Sequence, residues 1–178
     1  MTWTDQIGNL LKQYTSGGAA AAPAPDVHAH FDQVAEAAPS SALAEGLSAA
    51  FKSDQTPAFG QMLSTLFNNS TGEQKAGLIN QIMSSVPPGT LTSLRAGKSG
   101  TGEILGGGSG APQLTPEQAQ KISPEAVQQL ATQAHTADPS IVDSVSSFYA
   151  QHSTLIKTLG GTALTIALAK VAEKQRQA

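Results

Sequence analysis

The sequence predicts an all-α protein: small helical bundle lobes joined by a Gly-rich flexible linker, with an apolar helix at the C-terminal end. Three observations lead to this prediction. Apolar residues recur at the three- and four-residue spacing of an amphipathic helix. Residues 26–95 show no alternation of period two, and the second half places a capping side chain directly before proline three times.

The first predicted element is an amphipathic helix over residues 1–15. Its apolar residues share one face, which is typical of a helix that docks on another surface. The alternative is a terminal helix that packs on its own domain. Residues 16–25 follow with the Gly, Ala and Pro composition of a tether. The predicted docking face consists of Trp3, Ile7, Leu10, Leu11 and Tyr14.

Residues 26–95 are predicted to form a lobe of four helices. Each helix has an apolar stripe at helical spacing and a residue that suits a helix start. The predicted starts are Asp26, Ser40 or Ser41, Thr56 with Pro57, and a capping box from Ser70 to Glu73, and Pro87 closes the last helix.

The second half begins with a Gly-rich linker over residues 96–112 and continues as a C-terminal helical lobe over residues 113–178. A capping side chain followed by proline favours a helix start, because proline suits the first helical position. The predicted starts are Thr115, Ser123 and Asp138, each followed by proline, and Ser153 for the final helix.

The final helix has no charge between Lys157 and Lys170, and its apolar residues occupy more than one face. Such a helix has to be surrounded by other helices or by lipid. Two adjacent glycines cost a helix roughly 2 kcal/mol against alanine, so either close packing offsets that cost or the helix breaks there. The predicted interface residues are Leu155, Leu159, Gly160, Gly161, Leu164, Thr165 and Leu168.

Three environments for this helix stay open at this point. The first is association with another copy or a partner, and the second is burial within its own chain. The third is a membrane surface, with Lys170, Lys174 and Arg176 facing lipid head groups. A transmembrane span is not expected, because roughly 12 uncharged residues cover only about 18 Å of a hydrocarbon core of about 30 Å. The N-terminus lacks the pattern of a signal peptide. We therefore expect a cytoplasmic protein, with the inner face of the membrane as an alternative location.

The composition narrows the function classes. Only 13% of the residues are charged, where roughly a quarter is usual, and this favours a surface that associates. The formal net charge of −3 argues against nucleic-acid binding, which needs a basic face. The chain has no cysteine, which excludes disulfides and Cys-ligated zinc.

Two short motifs resemble ligand sites without meeting their requirements. Residues 97–99, Gly-Lys-Ser, match the end of a phosphate-binding loop, but Thr92 stands where the first glycine of that motif belongs. His28 and Asp32 share a helical face while His30 points away, so three metal ligands do not converge. We predict no catalytic residue, no metal site and no cofactor.

The second half carries a resemblance to a known family. Residues 106–108 are glycines, residues 114–118 read Leu-Thr-Pro-Glu-Gln, and residues 123–130 read Ser-Pro-Glu-Ala-Val-Gln-Gln-Leu. This order of a Gly-rich stretch and Pro-started, Gln-rich helices resembles the uncharacterised bacterial YidB-like family over about a third of the chain. The resemblance implies a bacterial helical protein and transfers no functional residue.

These observations favour a non-enzymatic scaffold or assembly subunit. In this interpretation the C-terminal apolar helix and the N-terminal amphipathic helix bind further copies of the protein or a larger protein complex. Peripheral contact with a membrane surface is an additional possibility of this interpretation. No nucleic-acid partner is expected. The alternative function is a helical carrier for a lipid, a quinone or another small apolar ligand.

Overall fold

The computed structural model describes residues 3–16, 26–87, 89 and 113–177. Within these ranges every regular element is an α-helix and no strand occurs, which confirms the predicted fold class. The helices are α1 (Trp3–Ser16), α2 (Val27–Ala37), α3 (Ser40–Lys52), α4 (Phe59–Asn68), α5 (Gly72–Ser85), α6 (Pro116–Gln120), α7 (Pro124–Ala137), α8 (Ile141–Ala150), α9 (Ser153–Ile156) and α10 (Gly161–Gln177).

Two helices begin as the proline signals predict. The Thr115 hydroxyl accepts the backbone N–H of Gln118, and the side chain of Gln118 accepts the backbone N–H of Thr115, which completes a capping box at α6. The Ser123 hydroxyl accepts the backbone N–H of Ala126 at the start of α7, 3.2 Å away. Each cap satisfies a donor that the first helical turn leaves unpaired.

Two predicted starts need correction in the first half. The capping box of α5 lies one residue later than predicted, because Thr71 pairs with Gln74. Thr56 does not cap α4, which begins at Phe59. Its hydroxyl instead donates to the carbonyl oxygen of Ala50 at 2.7 Å and so closes the end of α3.

The start of α8 is also shifted. The helix begins at Ile141, three residues after Asp138. The Asp138 carboxylate accepts the backbone N–H of Ser140 at 2.9 Å, which stabilises a turn ahead of the helix. This contact holds the pKa of Asp138 below its usual range, because hydrogen bonds from the Ser140 side chain and backbone favour the charged form.

The final helix is interrupted rather than continuous. Ser153 begins the four-residue helix α9, and α10 starts only at Gly161. A Cβ atom on Gly160 would meet no atom within 4 Å, so no close packing offsets the helix-breaking cost of this residue. The sequence leaves two outcomes open, a continuous helix stabilised by close packing or a break at the glycines, and the structure shows the break.

The helices group into two compact units. The first unit contains residues 1–57 and 146–178, and the second contains residues 58–145. In the first unit α1, α2 and α3 contact α10, and α9 contacts α2; in the second, α4 contacts α7, and α5 contacts α6 and α4. The sequence predicts a division between the lobes at residues 96–112. In the structure α1, α2 and α3 pack with α10, so the grouping does not follow that division. The predicted linkers lie outside the described residues, except that Ser16 ends α1.

Candidate interaction site

Helix α10 is the buried centre of the first unit. Residues 163–168 are buried without interruption, and so are Val171 and Ala172 on the following turn. Three other helices of the same unit contact α10. A helix that is apolar on several faces has to be covered by other elements. In this structure helices of the same chain cover it.

The closest approach to α10 comes from α3. A Cβ atom on Gly46 would lie 2.6 Å from the carbonyl oxygen of Ala167 and 3.0 Å from a methyl group of Val171. Only glycine leaves space for the two backbones to come this close. Gly46 therefore fixes the distance between α3 and α10.

The residues predicted for the C-terminal interface lie mostly inside the chain. Gly160 is exposed, and a Cβ atom on it would meet no atom within 4 Å, so it does not provide the close backbone contact expected of it; Gly161 is partly exposed. The Thr165 hydroxyl donates to the carbonyl oxygen of Gly161 at 2.9 Å, which satisfies its polar atom within the helix. The buried members of the predicted set are Leu155, Leu159, Leu164, Thr165 and Leu168.

The predicted N-terminal docking face packs on the same unit. Ile7, Leu11 and Tyr14 are buried, with exposed fractions of 4%, 1% and 6%, while Leu10 is partly exposed. The side chain of Trp3 lies outside the described part of the structure. Helix α1 contacts α10 and α2, so the two elements predicted to bind partners bind each other.

A hydrogen bond joins α1 to α2. The Tyr14 hydroxyl and Nδ1 of His30 share a hydrogen bond of 2.7 Å, and the two rings meet edge to face at 5.9 Å. Burial raises the pKa of Tyr14, and the negative charge of Asp26 raises it further. The neutral phenol is therefore the form that this site favours.

A groove runs along the contact between α1 and α10. Its volume is about 340 Å³. Leu11 and Ala172 are buried at its base, and Lys12 and Arg176 are exposed at its rim. A Cβ atom on Gly8 would lie 3.2 Å from Nε2 of Gln175 across the groove. The residues that line it are Gly8, Leu11, Lys12, Ala172, Gln175 and Arg176.

The lysines considered for lipid head groups have partners in the chain. Lys174 pairs with Glu45 of α3, and Lys170 pairs with Glu173 at 2.9 Å. Lys157, which was not among the residues considered for lipid head groups, pairs with Asp32 of α2, also at 2.9 Å. Because these pairs are largely exposed, each contributes about 0–1 kcal/mol to stability.

The His-rich start of α2 does not gather metal ligands. His28 is exposed, His30 is bonded to Tyr14, and Asp32 is paired with Lys157. Among the residues that the structure describes, no three His, Asp or Glu side chains come together as a metal site. The motif at residues 97–99 lies outside the described ranges. His135 and His152 lie against the rings of Phe59 and Phe148.

Comparisons with protein-family models, with curated proteins and with solved structures give no match for this chain. The resemblance of the second half to the YidB-like family therefore stays a hypothesis. Over the described part of the chain, no helix is both long enough and apolar enough to cross a membrane.

Sequence reasoning missed the glycines that matter for packing. It singled out Gly160 and Gly161, whereas the closest approaches to backbone atoms, among the described glycines, involve Gly46 on α3 and Gly60 on α4. A Cβ atom on Gly60 would lie 2.7 Å from the carbonyl oxygen of Gln128 on α7. The available signal was a glycine on the apolar stripe of a helix, a position where its cost of roughly 1 kcal/mol against alanine needs a packing reason.

Proposed function

We propose that the protein is a non-enzymatic helical scaffold or assembly subunit whose interface is the surface that now holds α1. We call this the α1-binding surface, made of Ala172, Gln175 and Arg176 on α10 and His30 on α2. The observation that carries the proposal is the pairing of α1 with α10, the two elements that the sequence marks for association.

The α1-binding surface has the properties of a site for an amphipathic helix. Leu11 lies beside Ala172 in the groove, Tyr14 bonds to His30, and Ile7 is buried on the same face of α1. Binding of an amphipathic helix on an apolar groove is a common mode of protein recognition. A partner with the same spacing of apolar side chains would make the same contacts.

Among the described side chains of α1, three are buried, namely Ile7, Leu11 and Tyr14. Burial of these side chains and the hydrogen bond between Tyr14 and His30 stabilise the docked helix. We expect release of α1 to cost less free energy than unfolding of the unit, because α2 and α3 keep their contacts with α10 when α1 leaves.

The connection to α2 makes α1 a local competitor. Residues 17–25 join Ser16 to Asp26, and their composition is that of a tether. A short tether of this kind gives a local concentration on the order of millimolar. To replace α1, a partner helix from a second copy or from another protein has to bind this surface more tightly than α1 does, because α1 is always present at that local concentration.

A labelled peptide with the sequence of residues 3–16 tests the proposal. The full chain with Ile7→Ser and Leu11→Ser has a weakened α1, so the peptide should bind it, and should bind the unchanged protein far more weakly. The control peptide carries the same two serines and should bind neither protein. Failure of the native peptide to bind the double variant, with the variant's helix content preserved, would contradict the proposal.

Light scattering identifies the kind of partner. A second copy is the partner if the mass of the unchanged protein rises with concentration and Leu11→Ser alters that rise. If the protein stays monomeric while the peptide binds the double variant, the partner is another protein.

The second candidate function, a carrier for a small apolar ligand, is favoured by one observation. The groove between α1 and α10 has a volume of about 340 Å³, which falls in the range of small-molecule sites. This function does not require α1 to leave α10.

A further inference from the structure

We propose that two copies of the chain exchange their α1 helices, so that α1 of each copy lies on the α1-binding surface of the other. The inference rests on the scaffold function proposed above and names its partner, a second copy of the same chain. The exchange is reciprocal, which fills both surfaces and closes the assembly as a two-fold dimer.

The contacts that hold α1 within one chain are the contacts that an exchanged α1 makes. Leu11 lines the groove together with Ala172 of α10, and Ile7 is buried on the same helix. Tyr14 shares a hydrogen bond of 2.7 Å with His30 of α2. Each of these contacts is made by residues of the helices themselves, so a second copy supplies them unchanged.

The fit at position 8 favours a second copy over an unrelated amphipathic helix. A Cβ atom on Gly8 would lie 3.2 Å from Nε2 of Gln175, which is tighter than nine in ten real Cβ contacts. A helix with a larger residue at this position would have to displace the amide of Gln175. Every copy of this chain carries glycine there, so its α1 meets the surface without that displacement.

The tether between α1 and α2 joins two helix ends that lie close together, since Tyr14 is in the last turn of α1 and His30 is in the first turn of α2. Residues 17–25 read Gly-Gly-Ala-Ala-Ala-Ala-Pro-Ala-Pro. Proline and the residue before it favour extended backbone, which disfavours the tight return that a single chain needs. Nine extended residues span at most roughly 30 Å, about three helix diameters, so this length reaches a neighbouring copy.

The concentration at which exchange occurs follows from the tether. Exchange keeps the contacts and replaces binding within one chain by binding between chains. The dissociation constant of the dimer is therefore near the local concentration that the tether provides, on the order of 1 mM. Repulsion between copies is weak, because the formal net charge is −3 and only 13% of the residues are charged. We expect monomers at micromolar concentration and exchanged dimers as the concentration approaches millimolar.

Cross-linking between two differently tagged full-length chains tests the exchange. Lys12 of α1 and Arg176 of α10 are both exposed and line the same groove. The chain has no cysteine, so Lys12→Cys and Arg176→Cys each introduce a single thiol. The two variants are mixed at about 1 mM and treated with a short bifunctional thiol reagent, chosen because it cross-links the doubly substituted chain within itself at micromolar concentration. A covalent heterodimer should form, with a yield that rises with concentration.

Two matched pairs control the cross-linking. In the first, Asn68→Cys replaces Arg176→Cys, because Asn68 is exposed and is not among the residues that line the groove. This pair measures collisions, and the test pair should exceed it by roughly tenfold, since exchange holds the two thiols together. In the second, Leu11→Ser is added to the chain with Lys12→Cys, which weakens the transferred helix and should return the yield to the collision level. A test pair that gives no more heterodimer than the collision pair would overturn the proposal.

The outcome is distinguishable from failure of the scaffold function. If the peptide of residues 3–16 binds the chain with Ile7→Ser and Leu11→Ser but the test pair gives no excess heterodimer, the scaffold function stands with a different partner and the exchange is wrong. If the peptide does not bind and no excess heterodimer forms, both are wrong.

Discussion

A Cβ atom on Gly46 would lie 2.6 Å from the carbonyl oxygen of Ala167, a distance that Cβ atoms in proteins essentially never show. The relationship joins an early helix, α3, to the final helix, α10, across more than a hundred residues of sequence. It explains why the apolar C-terminal helix is covered by its own chain. The backbone of α3 approaches it where a side chain would keep the two helices apart.

Gly46→Ala should therefore destabilise the first unit. Alanine gains up to about 1 kcal/mol as a helix former, but the clash involves backbone that has to move, and overpacking typically costs 1–3 kcal/mol. We expect a net loss of about 1–2 kcal/mol, measured by chemical denaturation. Gly160→Ala is the matched control, because its Cβ would meet no atom within 4 Å. Equal stability of the two variants would show that α3 and α10 do not approach this closely.

Asn80 should matter for the second unit. Its side-chain oxygen accepts the backbone N–H of Leu114 at 2.8 Å, and its side-chain nitrogen donates to the Leu114 carbonyl at 3.3 Å. Asn80→Ala removes both bonds and leaves two partly buried backbone groups without this partner, which costs about 1–3 kcal/mol. Asn68→Ala, at the exposed end of α4, should change the free energy of unfolding by less than about 0.5 kcal/mol. Equal losses in the two variants would speak against the contact.

Alkaline pH should loosen α1. The folded-state pKa of Tyr14 is raised above its usual 10.0, so the folded protein holds this proton more tightly than the unfolded chain does. The stability that it contributes is present below the usual pKa and is lost as the pH rises through the raised pKa. Fluorescence anisotropy of Trp3, the single tryptophan of the chain, reports motion of α1 along a pH titration.

Tyr14→Phe is the control for this titration. The variant keeps the ring but has no phenol to ionise, so its anisotropy should change less at alkaline pH than that of the unchanged protein. Loss of the hydrogen bond to His30 should also lower its stability at neutral pH by about 0.5–1.5 kcal/mol. If both proteins lose anisotropy at the same pH, ionisation of Tyr14 does not control the position of α1.

Local sequence patterns predict the helices well and their grouping poorly. The starts of α6 and α7 follow from Thr115 and Ser123, because a capping residue before proline acts within a single turn. Thr56 misleads for a physical reason: its hydroxyl bonds to the end of α3 instead of the start of α4. A capping side chain can serve either neighbouring helix, and the sequence does not state which.

The grouping depends on contacts that are distant in sequence. Gly46 and Ala167 show no relation in the sequence, and neither do Asn80 and Leu114, which lie 34 residues apart. The apolar pattern of α10 indicates that it has to be covered, but it does not distinguish a partner from the chain's own helices. Ile7 and Leu11 carry the same ambiguity, because the face that binds a partner and the face that packs internally have the same pattern.

Hydrogen–deuterium exchange of the unchanged protein tests the central claim, that α1 is a separable occupant of a surface on α10. The account predicts that amides of α1, especially between Ile7 and Tyr14, exchange through local opening much faster than those of α3 and the middle of α10. It also predicts that Leu11→Ser accelerates exchange in α1 while the Gly46–Ala167 region keeps its protection. If the amides of α1 exchange as slowly as those of α10, and only when the whole unit unfolds, α1 is a fixed part of the core and the proposed interface is wrong.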